Sequence, residues 1–240
     1  MAKQIIQESS TLHHRTLPIM KRHLILFFIS LLPLLAMSQG VITRSVKKPQ
    51  PQKQASISQP TGSINEHGYV DLGLSVKWAT CNVGASSPSE DGDRYAWGAT
   101  TTKSEYTEAN CKTFKKDIGN IEGNPLYDVA RAKWGGTWRL PTLKEIDELI
   151  EKCTWKWIKQ NGRNGYRVIS KKNGKSIFLP ATGFREKSLI KDINEYGCYW
   201  SSTSDMRFTD RAYSLFTEAL GRNYTSSTRD EGLSVRPVTE

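Results

Sequence analysis

The chain has 240 residues and a formal net charge of +10. Lys3, Arg15, Lys21, Arg22 and Glu8 lie within residues 1–38, so 30 basic and 23 acidic residues remain beyond them. Arg44, Lys47, Lys48 and Lys53 carry much of that remainder, which gives little reason to expect a nucleic-acid partner. Of the four histidines only His67 lies beyond residue 38, so a zinc site built from several histidines is excluded there.

At the N-terminus, Lys21, Arg22 and His23 precede the apolar run Leu24–Met37, and Ala36 and Ser38 are small. This pattern predicts a signal peptide over residues 1–38, cleaved between Ser38 and Gln39, with Met20 as an alternative start. The run is short for a membrane span and contains Pro33. Membrane contact is therefore expected only during export, and the protein is expected in the periplasm, at the cell surface or outside the cell. Residues 39–64, rich in Lys, Gln and Ser with Pro49, Pro51 and Pro60, read as a disordered or extended linker. One domain is expected over residues 65–240.

That domain opens with strand-like alternation, Val70, Leu72, Leu74, Val76, Trp78 and Thr80 against Asp71, Gly73, Ser75, Lys77 and Ala79. A glycine in the run suggests a hairpin or bulge. Glu90, Asp91 and Asp93 offer oxygen ligands for calcium, but the full loop spacing is missing and an acidic surface turn is the preferred reading. A short strand is expected around Arg94–Trp97. Asn124 and Pro125 then suggest an N-cap and first helical residue, with Leu126, Val129, Ala130, Lys133 and Trp134 on one face. Gly135 and Gly136 stop that helix.

The stretch GGTWRLPTLKEIDELI specifies its own conformation most fully. Thr142 and Glu145 make a capping box, and Leu143, Ile146, Leu149, Ile150 and Cys153 recur at helical spacing. After Cys153 the pattern turns to β. An Asn-Gly turn divides two strands, and KKNGK joins Tyr166–Ser170 to Ser176–Leu179. Further strands are expected at Gly197–Ser202, Arg211–Thr217 and Leu233–Val238. The order predicts an α+β fold with two adjacent helices packed on a mostly antiparallel sheet with long loops. Cys81, Cys111, Cys153 and Cys198 could form two disulfides in an oxidising compartment, although Cys153 continues a buried helical face and also reads as a free thiol.

In chain order, YVDLGLSVKWATCNVGA, DGDRYAWGAT, ARAKWGGTWRLPTLKEIDELI, CTWKW, NGYRV, NGKSIFLPATGFR, YWSST and GLSVRPV are present. Together they resemble the Fibrobacter succinogenes major paralogous domain family, abundant in Bacteroidetes, over about Gly68–Val238. The resemblance implies a C-type-lectin-like fold, distantly similar to the formylglycine-generating sulfatase modifiers, and a secreted or surface setting. Those enzymes use paired cysteines and copper near the C-terminal end of the fold. Here Cys198 stands without a second thiol in the final third, so an oxidase of that type is the remote alternative and no cofactor is expected. The Glu-Pro-Asn, Gln-Pro-Asp and Trp-Asn-Asp signatures of calcium-dependent sugar capture are absent, and YWSST offers poor calcium ligands.

Chemistry is therefore expected in the loops after Trp200. Arg207, Phe208, Asp210, Arg222, Tyr224 and Arg229 are the candidate recognition residues, with ordinary solvated loops as the alternative. Trp155, Trp157, Tyr199 and Trp200 could form a sugar-stacking platform, but a core role is preferred. Arg139 and Arg236 are expected to tie the start of the second helix to the last strand. The function expected is non-catalytic recognition of a glycan or protein, with a structural role in a surface assembly as the alternative.

Overall fold

The computed structural model describes residues 58–240. The expected signal peptide and most of the expected linker lie outside the described residues. The strands are β1 (Gly62–Ile64), β2 (His67–Val70), β3 (Lys77–Ala79) and β4 (Arg94–Tyr95). The helices α1 (Val129–Trp134) and α2 (Leu143–Lys152) follow. Then come β5 (Cys153–Gln160), β6 (Arg163–Ser170), β7 (Ser176–Pro180), β8 (Phe184–Glu186) and β9 (Leu189–Lys191). The chain closes with β10 (Gly197–Ser204), β11 (Arg211–Glu218), β12 (Gly221–Thr228), β13 (Leu233–Ser234) and β14 (Val238–Thr239). The class is α+β and sheet-rich.

The strands form sheets ordered β1-β2-β3-β14, β12-β11-β10-β13-β4, β5-β6-β7 and β8-β9. Among the described residues these strands pair antiparallel except β10 with β13, and a single Gly183–Gly197 bridge is also parallel. Alternation along β10 divides the interior in two. Tyr199 joins Ile146, Leu149, Trp78, Trp155 and Leu215 in one cluster. Its neighbours Cys198 and Trp200 join Tyr95, Trp97, Trp138 and Leu233 in the other. Trp155, Tyr199 and Trp200 are thus core, and Trp157 packs partly buried on the first cluster.

The α2 start is built as its residues dictate. Thr142 Oγ1 accepts the Glu145 N–H at 3.3 Å, and Glu145 Oε2 accepts the Thr142 N–H at 2.8 Å. Glu145 also forms a bidentate pair with Arg139, at 2.9 and 2.6 Å. Burial alone would raise the Glu145 carboxyl, but the bonds from Arg139 and Thr142 outweigh it and hold it below its ordinary value. The Arg139 backbone exchanges both hydrogen bonds with Val238, at 3.0 and 2.9 Å, which ties the helix lead-in to the last strand. Arg236 is tied elsewhere. Its guanidinium donates to Asn82 Oδ1 at 2.8 Å and to Ala79 O at 3.2 Å.

Several expectations are corrected. The β1 strand lies inside the expected linker, pairing Gly62 with Tyr69. The Val70–Thr80 alternation divides between β2 and β3, which pair antiparallel as the hairpin its glycine suggested. The first helix starts at Val129, and its cap is Asp128 rather than Asn124. The Asp128 carboxylate is buried and accepts N–H groups from Ala130, Arg131, Gly123 and Leu140, a cross-segment role that outcompetes the local Asn-Pro signal. Gly135 and Gly136, at φ 65° and 55°, end the helix as expected. The Asn161-Gly162 turn, at φ 47° and 82°, joins β5 to β6 as expected. Cys81, Cys111, Cys153 and Cys198 are all free, so the two-disulfide expectation fails in this structure. Cys111 donates instead to Arg229 O, and Cys153 and Cys198 belong to different clusters.

Candidate recognition surface

The loop from β10 to β11 is anchored by one carboxylate. Asp205 is 1% exposed, and it accepts the Arg207 N–H at 3.0 Å and the Ser226 hydroxyl at 2.7 Å. It also accepts a forked pair from the Arg207 guanidinium, at 3.1 and 3.0 Å. The Arg207 bonds, with that of Ser226, hold the Asp205 carboxyl down to about 2. A buried charge answered on every side is a rigid support.

That support aims Arg207 outward. Its side chain is 68% exposed, its guanidinium lies 3.4 Å from Tyr213 Oη, and it stands 5.7 Å from the Phe208 ring centroid. Tyr213 in turn meets Tyr224 edge-on, with centroids 6.2 Å apart. Phe208 and Tyr224 are 52% and 42% exposed. Arg207, Phe208 and Tyr224 therefore come together with Tyr213, which the sequence reading did not single out. Its place opposite Ser226 in the β11–β12 ladder, near Asp205, is what brings it there.

The remaining candidates separate. Arg222 lies along β12, its guanidinium 5.5 Å from the Trp155 ring centroid. Asp210 is half-buried, and its carbonyl accepts the Arg229 N–H at 2.9 Å. Arg229 is not a surface residue. It is 1% exposed and donates to the carbonyls of Arg211, Thr113 and Lys116 at 3.0, 2.9 and 2.7 Å. The segment read as a loop, Leu220–Glu231, is mostly the strand β12.

The acidic turn is engaged within the protein. Glu90 accepts the Ser86 N–H at 2.7 Å, and Asp93 accepts the Tyr95 hydroxyl at 2.8 Å. Asp91 pairs with Arg94 and Arg163, both at 3.1 Å. Among the described residues no group of three His, Cys, Asp or Glu could hold a metal ion. Cys198 lines a pocket of about 460 Å³ with Phe184, Phe216, Leu233, Ser227 and Glu231, and no second cysteine lines it. Burial pushes its thiol up to about 12. A lone protonated thiol is a donor set that does not fit a paired-thiolate copper centre.

Comparison of the chain with protein-family models, with curated proteins and with solved structures gives no match.

Proposed function

We propose that this chain is an exported, non-catalytic recognition module. In this reading its domain has a C-type-lectin-like fold of the kind found in the family it resembles, and its Arg207–Phe208–Tyr213–Tyr224 surface binds a glycan or a protein. The observation that supports the reading is the pairing of exposure with rigidity. Arg207 projects into solvent, yet three of its N–H groups are held by the buried Asp205. Tyr and Arg are the side chains that most often anchor interfaces, and fixing them beforehand reduces the entropy lost on binding. The Ser, Thr and Asn residues of β12 around them add adaptable polar contacts.

The test is a binding screen of the purified protein against glycans and proteins, repeated with Arg207→Ala and Tyr224→Ala. A ligand lost in both variants, with circular dichroism unchanged, supports recognition. Ligands that bind both variants as well as the parent would remove this surface from the proposal. Concentration-dependent oligomers without any ligand would assign the surface to assembly instead.

A further inference from the structure

β12 is an edge strand among the described residues, with β11 on one side only. Alternation sorts its side chains. Asn223 pairs with Phe216, and Phe216 pairs with Cys198, so Asn223, Thr225 and Ser227 share a face with the pocket of about 460 Å³. Arg222, Tyr224 and Ser226 take the other face. There a second depression of about 530 Å³ is bordered by Tyr224, Thr203, Asn120, Leu143, Lys144 and Asp147. Tyr224, in the middle of the strand, borders both.

Two hydrogen bonds show which backbone groups point away from β11. The Tyr224 N–H donates to the side chain of its neighbour Asn223 at 2.9 Å, and Ser226 O accepts from the Arg211 guanidinium at 2.6 Å. Even-numbered residues therefore turn their backbone outward, as every second residue of an antiparallel edge does. An amide capped only by an adjacent exposed side chain is readily given up to a better partner.

We propose that β12 is a docking edge for an extended segment of a partner protein, added as a sixth strand of this sheet, with side chains that alternate apolar and acidic. The proposal rests on the recognition reading and names its partner. A strand is the occupant whose repeat matches the site, because its successive side chains would fall on opposite faces of the sheet, one at each depression. The apolar set would meet Phe184, Phe216 and Leu233. The acidic set would meet Arg222, which forms no ion pair among the described residues, and Lys144 at the second depression. A second copy fits the site less well, because β12 itself, GRNYTSST, offers neither an apolar nor an acidic set of side chains.

The test uses a capped, dye-labelled peptide of alternating Glu and Val, as long as β12 at eight residues. Two further peptides carry N-methyl groups on all Glu or on all Val, which removes one edge of donors at a time. Anisotropy should show the parent peptide binding, and one methylated form failing while the other still binds. Arg222→Glu should weaken binding on the order of tenfold, and added salt should weaken it in the parent protein. Amide exchange at Arg222 and Tyr224 should slow in the complex. Equal binding of both methylated forms would overturn strand addition. So would a dimer through β12 that excludes the peptide. If the peptide fails while a glycan or folded protein binds through Tyr224, strand addition is wrong and recognition stands; if no ligand of any class binds, both fall.

Discussion

The guanidinium carbon of Arg229 sits 4.2 Å from the centroid of the Trp97 ring. Around it the three accepting carbonyls come from segments distant in sequence, Thr113 and Lys116 on one side and Arg211 on the other. Among the described residues no carboxylate forms an ion pair with it. Burial accordingly lowers the Arg229 guanidinium from its ordinary value. Arg229→Ala should therefore destabilise the fold by roughly 2–4 kcal/mol, since it orphans buried carbonyls and uncovers an indole face. Arg229→Lys should recover little, because an ammonium cannot reproduce the planar fork. Urea unfolding monitored by tryptophan fluorescence measures both.

Arg139 and Glu145 give a second stability prediction. Glu145→Gln keeps the shape of the capping box but removes the charge that answers Arg139. A loss of about 1–2 kcal/mol is expected in urea titrations. The folded-state carboxyl lies below its unfolded value, so this contribution is present at neutral pH and fades as pH falls through the carboxylate range. The variant and parent should converge in acid.

Asp205 should show the same linkage over a defined window. Its carboxyl moves from an ordinary 3.8 down to about 2 on folding. Its stabilisation is complete above 3.8 and is lost as pH drops toward 2. Asp205→Asn should lower the melting temperature at neutral pH, and the gap should close in that acid window. The same variant should weaken ligand binding by freeing Arg207, whereas Arg207→Ala should weaken binding with a smaller thermal effect.

Two thiols should be inert in the native protein. Burial raises Cys153 to about 11 and Cys198 to about 12. The thiolate is the species that alkylates, so iodoacetamide near pH 8 should leave both unmodified until denaturant is added. Mass spectrometry of the native and unfolded protein resolves this directly.

The legible parts of the fold were those where neighbours in sequence are partners in space. The Thr142–Glu145 capping box, the Gly135-Gly136 stop and the Asn161-Gly162 turn are all local. Asp128 escaped because two of its partners, Gly123 and Leu140, lie outside its own helix. The strand β12 escaped for another reason. As an edge it is exposed over Arg222–Thr225, so it carries no apolar alternation to read. Its polar residues look like a loop because both of its faces meet solvent. Arg229 looked like a contact residue because backbone carbonyls, which leave no trace in side-chain pattern, are its partners.

β14 pairs Val238 with Trp78 and Thr239 with Lys77. The opening and closing segments of the domain therefore share one sheet, and the first core cluster includes both Val70 and Val238. No N-terminal portion of the domain can assemble that sheet in advance. Contacts so distant along the chain slow folding, because the loop between them must close first. A growing chain carries an unfinished interior until β14 is delivered, and removing β14 should cost the whole domain rather than one strand.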